Sequence, residues 1–268
     1  MLMTRAMPCL LLRNGRLVKT VRFRAPAYVG DPVNAIKIYN EKEVDELILV
    51  DITASVEKRP PPFDLLAELV DECFMPLCYG GGISRCEDIR RLFELGIEKV
   101  AVNSHALTNP EFVAAAAARF GSQSIVASID ARRGLLGRYA VCSEGGRRKW
   151  PVDPVQHARR MEELGAGEIL LNAIDRDGTW QGYDLELIRT VTEAVRIPLI
   201  ALGGAGSVAD FEAAVKTAGA SAVAAGSMAV YQGSNLGVLI NFPTRTQLQA
   251  VLESPGRELE PAPDKDLS

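Results

Sequence analysis

The chain copies itself once along its length. Met75-Pro-Leu-Cys-Tyr-Gly-Gly-Gly82 returns 122 residues later as Ile197-Pro-Leu-Ile-Ala-Leu-Gly-Gly204, and Asp45-Glu46-Leu47-Ile48 returns at the same spacing as Gly167-Glu168-Ile169-Leu170. Gly96 to Ser104 returns at a spacing of 123 as Gly219 to Ser227. A fixed internal period means that one structural unit is built twice. Each copy alternates short apolar runs with amphipathic stretches, the pattern of parallel strands joined by crossover helices. Two halves of four βα units each make a closed (β/α)8 TIM barrel, for which about 250 residues is usual, and the chain has 268. An open doubly wound sheet would not need its second half to repeat its first.

Eight strands are predicted: Arg5 to Leu10, Glu46 to Asp51, Pro76 to Tyr79, Lys99 to Asn103, Ile125 to Asp130, Glu168 to Asn172, Pro198 to Leu202 and Ala222 to Ala225. Helices fall between them, among them Phe63 to Cys73, Glu87 to Leu95, Pro110 to Phe120, Asp153 to Leu164 and Asp184 to Val195, with Asn109 and Asp153 as N-caps before prolines. Two segments stand outside the repeat. Arg13 to Asp31 reads as a long basic loop, and Pro255 to Ser268 as a disordered tail beyond a single barrel domain of residues 1–254.

A net charge of −4 offers no general attraction to nucleic acid or to an acidic membrane surface. No stretch approaches the 18 or so apolar residues of a membrane span. Five cysteines without a C-x-x-C pair read as free thiols of a reducing cytoplasm. Two histidines without a ligand-spaced partner predict no metal site, and nothing in the chain calls for a cofactor.

Barrel active sites form on the loops that leave the C-terminal ends of the strands. Here those positions carry Gly80-Gly81-Gly82, Asn103-Ser104, Gly203-Gly204 and Gly226-Ser227, a glycine and small-polar cluster in each half. Glycine lets backbone amides approach an anion closely, so each half offers a phosphate cradle, and the pair predicts a ligand with phosphates at both ends. The same glycines could serve only tight turns. Asp51, Asp130 and Asp177 also end strands or open the loops behind them; acid and base chemistry would need two carboxylates facing each other across the mouth.

Long ordered motifs give the chain a specific resemblance. Gly30-Asp31-Pro32, Leu49-Val-Asp-Ile-Thr-Ala-Ser55, Gly80-Gly-Gly-Ile83, Phe120-Gly-Ser-Gln123, Ile129-Asp-Ala-Arg-Arg133, Glu163-Leu-Gly-Ala-Gly-Glu-Ile-Leu170 and Asp175-Arg-Asp-Gly-Thr179 resemble the HisF family, the cyclase subunit of imidazole glycerol phosphate synthase. The resemblance implies a TIM barrel that takes ammonia from a HisH-like glutaminase and delivers it to a bis-phosphate substrate. It implies roles in binding the phosphorylated small molecule for Lys19, Asp51, Asn103 and Asp177, and a catalytic role for Asp130. It also implies that Arg5, Glu46, Lys99 and Glu168 form a charged gate for ammonia at the opposite face, beside Glu98 and Gln123 where the glutaminase docks.

One departure stands out. The family's second catalytic aspartate, at the end of strand one, falls here on Leu11. Leu202 replaces a usual serine, Asn172 a usual threonine, and Cys78-Tyr79 a smaller pair. Together with Pro8-Cys-Leu-Leu-Leu12, Met75-Pro-Leu-Cys-Tyr79 and Val238-Leu-Ile-Asn-Phe-Pro243, these make the chain similar to the WbuZ-type HisF homologues associated with glycosyl amidation. That similarity implies an ammonia-conducting subunit serving an N-acetyl-sugar amidotransferase in surface polysaccharide synthesis. The alternatives are a working histidine-pathway cyclase and, on the same half-barrel plan, a phosphosugar isomerase of the HisA type.

Overall fold

The computed structural model describes residues 4–134, 136–233 and 237–252. Eight parallel strands close into a barrel: β1 (Arg5–Arg13), β2 (Leu47–Asp51), β3 (Leu77–Gly80), β4 (Lys99–Val102), β5 (Ile125–Arg133), β6 (Glu168–Ala173), β7 (Leu199–Leu202) and β8 (Ala222–Ala225). Each pairs with the next, and β8 closes on β1 through Arg5 opposite Ala222 and Pro8 opposite Ala225. All eight predicted strands are present, and the barrel is closed.

Helices α1 (Pro32–Glu41), α2 (Phe63–Asp71), α3 (Cys86–Glu94), α4 (Ser104–Thr108), α5 (Glu111–Phe120), α6 (Pro154–Glu163), α7 (Leu185–Thr192), α8 (Val208–Glu212), α9 (Ser227–Val230) and α10 (Arg245–Leu252) lie along the chain between and after the strands. Residues alternate sides along each strand, and this sorts the core into two. Leu10, Leu12, Leu47, Leu49, Ile129 and Ile169 pack outward under the helices. Met7, Cys9, Ile48, Cys78, Val126, Leu170, Ile200 and Ala222 fill the bore. Asp153 caps α6 by accepting from the Val155 amide at 2.8 Å, with Pro154 at the first helical position. Asn109 does not cap α5, whose N-cap position is Pro110. The repeat extends to capping: Asp88 accepts from the Arg85 amide and Asp210 from the Ser207 amide, 122 residues apart.

Arg13 to Asp31 is not a loop. It forms an antiparallel hairpin, Arg16–Val21 with Arg24–Gly30, continuing from the end of β1. Asn14 and Gly15 at the first turn both have positive φ, 52° and 74°, the geometry that favours an Asn-Gly hairpin turn. β5 continues in the same way into Tyr139–Ser143 and Arg148–Lys149. The five cysteines are free thiols, and no described helix is long and apolar enough to cross a membrane. The predicted tail, Pro255 to Ser268, lies outside the described residues.

Candidate functional site

The two strands that run on into hairpins carry Leu11 and Asp130 at matching positions: the first hairpin pair is Leu11 with Val18 on β1 and Asp130 with Cys142 on β5. Because their chain neighbours Leu10, Leu12, Ile129 and Ala131 face the helices, Leu11 and Asp130 face inward. Both line a cavity of about 270 Å³ at the C-terminal mouth of the barrel.

Of the residues singled out by sequence, Lys19, Asp51, Gly81, Asn103, Ser104, Asp130, Asp177 and Gly226 line this cavity, while Gly82, Gly203, Gly204 and Ser227 do not. The glycines outside its wall answer to backbone packing. A Cβ at Gly82 would run into the Arg59 carbonyl oxygen, and one at Gly204 into that of Gly182. The amides of the Gly206-Ser207 turn are already taken by Asp210 at 2.9 Å, and the turn before α3 is capped by Asp88. The amides near Gly81, Asn103-Ser104 and Gly226 are the ones next to the cavity.

The cavity holds three carboxylates in different states. Asp177 is tied to Lys19, whose Nζ donates to its two oxygens at 2.9 and 3.1 Å, with both side chains buried. Asp51 accepts from the amides of Thr53 and Ala54 at 2.9 and 3.0 Å and pairs with Arg59 at 2.9 Å. Arg59 was not foreseen: it sits in the loop after β2, eight residues beyond its partner, where no spacing rule applies. Asp130 has no cation in direct contact. Asn103 Nδ2 donates to it at 3.3 Å and also reaches the carbonyl oxygens of Ser128 and Cys142. Burial pushes the Asp130 carboxyl up to about 7, the nearby Asp177 charge adds to the rise, and Arg132 and a hydrogen bond from Asn172 oppose it. Asp130 can therefore exchange a proton near neutrality. Leu11, its counterpart, cannot.

Sequence reading also missed Phe23, Arg13 and Arg147 in the cavity wall. The Asn14-Gly15 turn signal would have placed Arg13 at a hairpin turn.

At the other end of the bore, Arg5, Glu46, Lys99 and Glu168 form a closed ring of ion pairs. Arg5 Nη1 donates to Glu46 Oε2 at 2.6 Å and Arg5 Nη2 to Glu168; Lys99 Nζ donates to Glu46 Oε2 at 2.9 Å and to Glu168 Oε2 at 3.1 Å. All four charges are compensated within the ring, which a buried cluster requires. Between ring and cavity the bore is lined by apolar side chains and thiols, Met7, Cys9, Ile48, Cys78, Val126, Leu170 and Ile200.

Residues 5–235 match the family described as "Histidine biosynthesis protein". The chain is 50% identical, over 92% of its length and 99% of the relative's, to a Pseudomonas aeruginosa protein named "Putative imidazole glycerol phosphate synthase subunit hisF2". It is 44% identical, over 94% of its length and 99% of the relative's, to a Leptospira interrogans protein named "Putative imidazole glycerol phosphate synthase subunit HisF". The "Imidazole glycerol phosphate synthase subunit HisF" of Alkaliphilus metalliredigens is 46% identical over 86% of this chain and 92% of its own.

Proposed function

This chain belongs to the histidine biosynthesis protein family, and on that premise we propose that it is the barrel subunit of a glutamine amidotransferase complex, which conducts ammonia from a HisH-like glutaminase to an N-acetyl-sugar amidotransferase rather than cyclising a substrate itself. The observation that carries this reading is the unequal pair Leu11 and Asp130. Two of the three cavity carboxylates are held by cations, Asp177 by Lys19 and Asp51 by Arg59, and the third shares the cavity with a leucine at the matching position of β1, where a second proton-exchanging group would be needed.

The ring and bore support the conduit. Ammonia enters an apolar bore as the neutral molecule, since an ammonium ion would lose its hydration there without compensation. The ring keeps charges paired at the entrance, and its weakest link is Lys99, a compact ammonium on a flexible stem, in contrast to Arg5, which engages one carboxylate with each terminal nitrogen. Rotation of Lys99 would open the bore. Lys19, Asp177, Asn103 and the amides around Gly81 and Gly226 form a subsite suited to a phosphorylated small molecule. A working cyclase of histidine biosynthesis is the second reading, favoured by the raised affinity of Asp130 for its proton.

Reconstitution tests the proposal. The chain, purified with a HisH-like glutaminase and an N-acetyl-sugar amidotransferase of the same genome, is expected to form a complex with the glutaminase and to support transfer of the glutamine amide nitrogen to the sugar. No association with the glutaminase, with a phosphorylated ligand present, would refute it.

A further inference from the structure

The basic stretches around the mouth have no use in conducting ammonia. Residues 13–30 and 132–150 hold eleven lysines and arginines against a single acid, Glu144, in a chain whose net charge is −4. The fold gathers both stretches, one in each hairpin, over the same opening: Gly146 of the second hairpin packs against Phe23 of the first, and Phe23 and Arg147 line the cavity below. Arg13, Arg16, Arg24, Arg138, Arg147 and Lys149 make no ion pair with another described residue. Crowded like charges repel; Lys19, Arg133 and Arg148 are paired with Asp177, Glu186 and Glu144, while these six have no ion-pair partner among the described residues.

A small phosphorylated ligand in the cavity beside Lys19 would meet only Arg13 and Arg147 of these six, which line it, and would leave Arg16, Arg24, Arg138 and Lys149 on the outer rim uncovered. The hairpins also carry apolar tips that a small anion has no use for: Tyr28, Leu136 and Val21 are 61%, 88% and 43% exposed. Arginines interleaved with an exposed tyrosine and aliphatic tips are the composition of a protein interface rather than of a metabolite site. The exposed aliphatic tips, which a phosphate backbone has no use for, favour protein over nucleic acid as the occupant.

We infer that the two basic hairpins form a docking surface for an acidic face of the protein that consumes the ammonia. This rests on the conduit reading and extends it: a partner seated on the rim caps the mouth, so ammonia leaving the bore meets a second active site before it meets water. Complementary charge would steer the encounter and fix its orientation.

The test uses the complex of this chain with its glutaminase and takes the full-length N-acetyl-sugar amidotransferase as the probe. A reversal set, Arg16→Glu, Arg24→Glu, Arg138→Glu and Lys149→Glu, is compared with a conservative set, Arg16→Lys, Arg24→Lys and Arg138→Lys; none of these residues lines the cavity. The wild type and the conservative set are expected to bind the amidotransferase, more weakly as salt rises from about 50 to about 200 mM. The reversal set is expected to bind at least roughly 100-fold more weakly and to lose glutamine-driven amidation, with ammonium-driven amidation and glutaminase binding unchanged. Unchanged glutaminase binding shows that the reversal set is folded; Tyr28→Ala, expected to weaken binding roughly tenfold, is the second probe should it not be.

Glutamine-driven amidation by the wild type that the reversal set supports equally would overturn the docking inference and leave the conduit reading standing. Absence of glutamine-driven amidation with the wild type would overturn the conduit reading, and the inference with it. Wild-type self-association abolished by the same reversals, or binding to duplex DNA without binding to the amidotransferase, would assign the rim to another occupant and overturn the inference.

Discussion

Lys19 Nζ bridges both carboxylate oxygens of Asp177, at 2.9 and 3.1 Å, and Gly226 makes room for it: a Cβ at Gly226 would lie 2.9 Å from Lys19 Cε. Gly226 itself has a φ of −95°, open to any residue. Gly226→Ala therefore acts on the lysine rather than on the backbone. It is expected to weaken binding of a phosphorylated sugar by roughly tenfold, about 1.4 kcal/mol, while moving the urea midpoint little. Calorimetric titration beside a denaturation curve measures both.

Asp130 makes stability fall with rising pH. Its carboxyl titrates at about 7 in the fold against 3.8 for the free group, so the folded state holds the proton more tightly than the unfolded state. Its contribution is most favourable below the unfolded value and is lost progressively as pH climbs from about 4 to about 7. Asp130→Asn removes this slope. Because the carboxyl borders a cavity that solvent can enter, the gain for the variant at pH 8 relative to pH 5 is expected to be about 2 kcal/mol, less than the full shift would give. Denaturation at the two pH values reads it.

The ring predicts a cost that depends on which member is lost. Glu46→Gln leaves Arg5 and Lys99 facing Glu168 alone, and breaking a buried pair costs about 3–5 kcal/mol when both partners are dry. Arg5 and Lys99 keep 29% and 20% of their side-chain exposure, which lowers the expectation to about 1–3 kcal/mol. The urea midpoint should fall without a change in slope. Lys99→Met should cost at least as much as Glu46→Gln, because it leaves the carboxylates of Glu46 and Glu168, only 3% and 7% exposed, sharing Arg5 alone.

Backbone packing makes Gly204 irreplaceable for a different reason. Its φ is 114°, and a Cβ would meet the Gly182 carbonyl oxygen, which is backbone and cannot step aside. Gly204→Ala is expected to destabilise by about 2–4 kcal/mol, read as a drop in thermal midpoint.

The barrel was legible because its strands announce themselves by alternation and by repetition: all eight lie where the apolar runs fall, and Asp153 with Pro154 opens α6 as their chemistry demands. The hairpin after β1 was not read, although Asn14-Gly15 carries its first turn. Its second turn lies at Arg22 and Phe23, two non-glycine residues with φ of 52° and 62°, held by the Arg22 amide donating to the Asp177 carbonyl at 2.9 Å. That is a tertiary cause, invisible in a run of basic residues. Asp51, Asn103, Asp130 and Asp177 stand at strand ends or in the loops behind them, which converge on one mouth in a barrel; Lys19, inside the hairpin strand Arg16–Val21, was marked only by the family resemblance. Arg59 and Phe23 arrive there from within loops, where neither period nor spacing marks them.

If Leu11 is what keeps the site from cyclising, a carboxylate there should help. Leu11→Asp is expected to raise ammonium-dependent cyclisation of the histidine-pathway intermediate, by no more than the roughly 10²- to 10⁴-fold that one positioned acid or base supplies, with Leu202 and Asn172 limiting the gain. No gain in a variant that still binds the intermediate would assign the block to those two positions.

Turnover of the unmodified protein in that same reaction, with ammonium as nitrogen source, tests the central claim most directly. A leucine can neither give nor take a proton, so the rate should lie roughly 10²- to 10⁴-fold below that of an enzyme with both aspartates. Cyclisation at about 1 s⁻¹ or faster, an ordinary enzyme rate, would contradict the conduit account and make this chain a histidine-pathway cyclase.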